Sequence, residues 1–87
     1  MNSLILYSKP GCHLCEGLQE KLEQIEGLTL EIRDITTRDE WFQAYQYEVP
    51  VLCRLLDEKP LPRPSPRASV SQLQQMLQKY LSASEAE

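Results

Sequence analysis

Cys12 and Cys15 stand three residues apart in Gly11-Cys12-His13-Leu14-Cys15. Two thiols at that spacing can exchange with a disulfide, ligate a metal, or sit inertly as structural thiols. The flanking residues favour exchange. Leu4-Ile5-Leu6-Tyr7 is a short apolar run, Pro10-Gly11 is a turn signal, and a helical period opens after Cys12. A cysteine at a helix start meets unpaired backbone N–H groups and the positive end of the helix dipole. Both favour the thiolate, which is the nucleophile. Cys12 is therefore read as the attacking thiol. Cys15, about one turn further on and close enough to form a disulfide with it, is read as the resolving thiol. A zinc site would need about four ligands, and only His13 and Cys53 remain to complete one. Cys53 lies among apolar neighbours and is expected in the core. His13 is expected to be exposed, with two readings open. Protonated, it would lower the Cys12 pKa and raise the reduction potential; solvated, it would do little.

The elements that must hold this pair follow from the pattern of apolar residues. Leu4–Tyr7 reads as a strand covered on both faces. Leu14, Leu18, Leu22 and Ile25 recur at helical spacing to about Ile25, with Gly27 as the stop. Leu28–Asp34 alternates as a second strand, which a right-handed crossover would set parallel to the first. Thr37 and Glu40 have capping-box spacing, so a helix is expected over Arg38–Tyr45. Its Trp41, Phe42 and Tyr45 should pack on the sheet or rim a groove. Val51–Leu56 reads as a third strand. Lys59–Pro62 reads as a short edge strand whose prolines limit pairing to one side. Ser69 and Gln72 repeat the capping box before a helix over Val70–Leu81. Residues 1–81 thus form one α/β domain of order β-α-β-α-β-β-α, a four-stranded mixed sheet flanked by three helices. Residues 82–87 are expected to fray as a polar tail.

Composition narrows the function classes. The 87 residues carry 9 basic and 13 acidic side chains, a net charge of −4. That balance argues against nucleic-acid binding, which calls for a basic surface. No apolar run approaches the roughly 18 residues of a membrane span, and Met1-Asn2-Ser3 is unlike a secretory leader. A cytoplasmic protein is expected, a setting in which a Cys-x-x-Cys pair points to catalysis or metal binding rather than a structural disulfide.

Tyr7-Ser8-Lys9-Pro10-Gly11-Cys12-x-x-Cys15, with Val49-Pro50 about 35 residues later, resembles the glutaredoxin form of the thioredoxin fold. Gly-Cys-His-Leu-Cys-Glu at 11–16, Trp41, Tyr45 and Val49-Pro50-Val51-Leu52 are similar to a small glutaredoxin-like family found largely in bacteria. The resemblance spans residues 4–81. It implies that Val49 offers its backbone to an extended peptide or to glutathione, and that Pro50 is cis and faces the dithiol. It also implies that Lys9 holds a glutathione carboxylate and favours the thiolate. Tyr7, His13 and Leu14 complete the expected binding residues. The chain departs from the usual pattern by having His13-Leu14 between its cysteines. It also has no Gly-Gly between Leu56 and Ser71, where Pro62-Arg63-Pro64-Ser65-Pro66-Arg67 stands. Arg63 or Arg67 is a candidate replacement anion contact.

The expected function is a monomeric thiol–disulfide oxidoreductase acting on protein or small-molecule disulfides. It would bind no cofactor and take electrons from glutathione as co-substrate or from thioredoxin reductase. The competing readings are a non-enzymatic adaptor or redox sensor of the same fold, and an iron–sulfur or metal carrier.

Overall fold

The computed structural model describes residues 2–85. Its elements are β1 (Asn2–Ser8), α1 (His13–Glu23), β2 (Leu28–Asp34), a 3₁₀ turn (Ile35–Thr37), α2 (Asp39–Tyr45), β3 (Val51–Arg54) and α3 (Val70–Glu85). β1 lies at the centre of the sheet, parallel to β2 on one side and antiparallel to β3 on the other. A central strand is covered on both faces, which is why Leu4, Ile5, Leu6 and Tyr7 are apolar in succession.

The alternation of β1 feeds two cores. Leu4 and Leu6 pack with Leu22 of α1, Leu52 of β3 and Leu73 and Leu77 of α3. Ile5 and Tyr7 pack on the opposite face with Cys15, Ile35, Val49 and Cys53, flanked by Trp41 and Tyr45 of α2. The result is a sheet with α1 and α3 on one face and α2 on the other. Phe42, expected on the sheet with Trp41 and Tyr45, is 39% exposed.

The sheet has three strands, not four. The stretch 59–62 makes a single antiparallel bridge, Cys53 to Pro60. Arg54 N–H donates to the Lys59 carbonyl at 3.0 Å and Leu61 N–H to the Leu52 carbonyl at 2.7 Å. Pro60 and Pro62 have no N–H to extend the ladder, so pairing stops there. β3 also ends at Arg54 rather than Leu56, because residues 55–57 turn and Glu58 takes a positive φ of 56°.

The two capping boxes behave differently. Ser69 and Gln72 form theirs in both directions: Gln72 N–H donates to Ser69 Oγ at 3.1 Å and Ser69 N–H to Gln72 Oε1 at 2.8 Å. Thr37 does not cap α2. Its hydroxyl donates to the Asp34 carbonyl at 2.7 Å within the 3₁₀ turn, which Asp34 itself caps through Thr36 N–H at 2.9 Å. Arg38 takes the N-cap position without a side-chain bond. α1 ends at a Gln24 C-cap, and Gly27 (φ +78°) turns the chain into β2 three residues later. α3 runs on to Glu85, four residues past its expected end, so the tail expected to fray from residue 82 is helical that far. Residues 86 and 87 lie outside the described region.

Among the described residues no helix is long and apolar enough to cross a membrane.

Candidate active site

The site begins where β1 hands the chain to α1. Pro10-Gly11 makes the turn, with Gly11 at φ +79°, and Cys12 N–H donates to the Lys9 carbonyl at 3.3 Å. Cys12 is the N-cap of α1: its carbonyl accepts from Glu16 N–H at 3.1 Å and its sulfur from Cys15 N–H at 3.2 Å. A cysteine therefore does what Ser, Thr or Asp usually does at a helix start. A sulfur in that position is more stable as an anion, because an N–H points at it and the helix dipole adds about 0.3–1 kcal/mol.

Cys15 faces inward. It is 2% exposed and packs with Ile5, Tyr7 and Val49, whereas Cys12 is only partly covered. The Cα atoms are 5.3 Å apart and the two sulfurs sit within disulfide reach. One sulfur is accessible and capped; the other is buried behind it.

Tyr7 closes the floor. Its ring meets Trp41 edge-on at 5.7 Å and Tyr45 at 4.6 Å. Its hydroxyl accepts from Arg33 Nη1 at 2.9 Å. Arg33 is held in turn by Glu31 and by Glu58, the latter at 3.0 Å, and lies 5.3 Å from the Trp41 ring centre. The carboxylates hold its charge firmly on, Glu31 foremost. Tyr7 is thus a buried support beneath the site with its one polar atom satisfied. Sequence reasoning missed Arg33. The only available signal was the parallel register of β1 and β2, which sets it opposite Tyr7.

The other expected residues divide into two groups. His13, Leu14 and Pro50 line one cavity of about 170 Å³ together with Leu18, Arg63 and Pro64. Lys21 Nζ pins the proline-rich stretch against α1 through the Pro66 and Ala68 carbonyls, at 2.9 and 2.6 Å. The His13 side chain is 96% exposed, with Nδ1 3.9 Å from Glu16. Leu14, first in the apolar stripe of α1, is 51% exposed at the groove rather than in the core. Lys9 does not join this cavity; its Nζ donates to the Gln46 carbonyl at 3.4 Å. The Val49–Pro50 bond is cis. Both Val49 backbone groups already have partners: its N–H donates to the Tyr45 carbonyl and its carbonyl accepts from Arg63 Nη2, each at 3.1 Å. Cys53 is fully buried, and burial pushes its thiol pKa up. Among the described residues no three His, Cys, Asp or Glu side chains gather as a metal cluster.

Known proteins can be set beside this geometry. Residues 3–78 match the model of the glutaredoxin-like domain (DUF836). The chain belongs to the glutaredoxin-like domain family. Target protein XcR50 from X. campestris, solved by X-ray methods, superposes with a TM-score of 0.66 at 28% identity, over 92% of this chain and 96% of that one. Thioredoxin 1 from the thermophilic eubacterium Thermosipho africanus superposes with a TM-score of 0.63 at 20% identity, over 95% and 98% of the two chains. At that identity the second likeness speaks for the fold alone. No protein of curated function matches the sequence. This glutaredoxin-like chain therefore places its cysteine pair at the start of the first helix of a thioredoxin fold.

Proposed function

We propose that the protein is a thiol–disulfide oxidoreductase. The observation that carries this is the cap at α1: Cys12 sulfur accepts the Cys15 N–H at 3.2 Å, with Cys15 buried directly behind it. Cys12 thiolate attacks one sulfur of a substrate disulfide. The substrate S–S bond breaks, a Cys12–substrate mixed disulfide forms, and the departing thiolate takes a proton. Cys15 then loses its proton and attacks the Cys12 sulfur. The second substrate thiolate leaves and is protonated, and Cys12–Cys15 is oxidised. Two electrons have passed to the substrate, with one proton from Cys15 and one from solvent. A thiol donor such as glutathione, or thioredoxin reductase, returns them, and the resident site is the cysteine pair alone.

The division of labour between the two sulfurs gives the test. C12S should lower disulfide reduction at least a thousandfold. C15S should accumulate a covalent adduct with the substrate, seen as a mass increase that dithiothreitol removes. Turnover by C12S, or a stable adduct in C12S and none in C15S, would contradict the assignment. An inert Cys12 with ordinary thiol reactivity would turn the reading to a non-enzymatic adaptor or sensor.

A further inference from the structure

The groove beside the dithiol carries a charge opposite to that of the chain. The protein is net negative, with 13 acidic residues to 9 basic. Yet the groove is lined by His13, Lys21 and Arg63 and by no Asp or Glu. Lys21 is spent on two backbone carbonyls. His13 faces Glu16 at 3.9 Å, so Arg63 remains to meet a ligand. Apart from Ser65, the rest of the lining carries no polar side chain and is chiefly Leu14, Leu18, Pro50 and Pro64.

Arg63 occupies a particular point. Its guanidinium donates to the Val49 carbonyl, immediately before Pro50. A second cavity, lined by Glu48, Val51, Leu52 and Leu61, shares Pro50 and Arg63 with the first, so Arg63 stands between the two. Among the described residues no carboxylate pairs with it. A neutral carbonyl is a weaker partner for guanidinium than a carboxylate, which it can grip with two parallel N–H bonds.

We infer that Arg63 is the specificity-determining residue of this groove, selecting peptide disulfides whose half-cystine is flanked by an acidic side chain. In the free protein Arg63 caps the Val49 carbonyl. The substrate carboxylate takes the guanidinium, and the carbonyl is released to pair with the substrate backbone. Binding of an extended peptide is thereby coupled to its charge. The occupant is a peptide rather than a small thiol because the groove adjoins the second cavity at Pro50 and Arg63, so the lined surface runs from Leu14 past Arg63 to Leu61 and Glu48. The inference rests on the oxidoreductase reading for its substrate class, though not for the contact itself.

Two ten-residue peptides test it, each with a central cysteine flanked by Glu or by Gln, used as disulfides for turnover and with Ser for Cys in binding. At low salt the oxidised protein should bind the Glu–Ser peptide about tenfold more tightly than the Gln–Ser peptide, the ratio corresponding to one charge-assisted contact. R63Q should bring the ratio to within about twofold of one by weakening the Glu peptide alone, while R63K should keep part of it. In turnover the difference should lie in KM rather than kcat. A wild-type ratio near one, an R63Q ratio equal to wild type, or equal loss of both peptides in R63Q would overturn the assignment. A Glu preference in binding without turnover would sink the oxidoreductase reading and leave Arg63 standing. Turnover without charge preference would do the reverse.

Discussion

Cys12, Cys15 and Cys53 are chemically the same side chain in three environments, and their surroundings separate their roles. Cys12 caps a helix and is partly accessible, Cys15 is buried beneath it, and Cys53 is sealed between β1 and α2. Burial raises the Cys53 pKa above its ordinary 9.0, because a thiolate there would lose its hydration. The unfolded chain then releases this proton at lower pH than the folded one. Above about pH 9 the unfolded state binds fewer protons, so stability falls as pH rises until the folded thiol also titrates. Urea unfolding of the oxidised protein, in which Cys12 and Cys15 do not titrate, should show a midpoint that declines from pH 9 upward. C53A should remove the part of that decline lying below about pH 10, where the unfolded Tyr45 starts to titrate ahead of the folded one, whose pKa burial also raises from 10.0. An unchanged slope in C53A would contradict it. The placement of Cys12 and Cys15 at a helix start was legible in sequence because helix caps are local. The Tyr7–Arg33 bond was not, since it depends on strand register across 26 residues.

At the scale of elements, apolar patterning located α1, α3 and the first three strands, because burial of a periodic face is a local property of the chain, while α2 was expected from capping-box spacing alone. Caps and ends were less legible. The Ser69–Gln72 box forms, while Asp34 draws the Thr36 and Thr37 groups into a 3₁₀ turn before Thr37 can cap α2. The proline-rich stretch could be recognised as a poor strand, but not that it would bridge only at Pro60 and be pinned by Lys21. α1 joins core to chemistry: Leu22 anchors it in the leucine cluster while its N-terminus carries the cysteines. Leu22 is 1% exposed, so L22A should destabilise the fold by about 2–5 kcal/mol. Chemical denaturation measures this directly; a loss below about 1 kcal/mol would mean that α1 is held elsewhere.

For the whole molecule, β1 in the centre gives one leucine-lined face to α1 and α3 and one aromatic face to α2. The α/β class, the parallel crossover and the position of the dithiol at the end of β1 all follow from that arrangement. The fourth strand does not, since its pairing rested on residues that cannot donate. The groove joins parts distant in sequence, His13 and Leu14 with Pro50 and Arg63, so the sequence offered Arg63 and Arg67 alike and only the folded chain brings Arg63 to the groove. The proposed oxidoreductase activity requires the pair to transfer two electrons to a disulfide. The most direct measurement mixes fully reduced protein with excess peptide disulfide, quenches with acid and counts thiols by mass spectrometry. The expected result is one peptide disulfide reduced per chain, a Cys12–Cys15 disulfide in the product and an unoxidised Cys53. Reduced cysteines and intact peptide after prolonged mixing would contradict it.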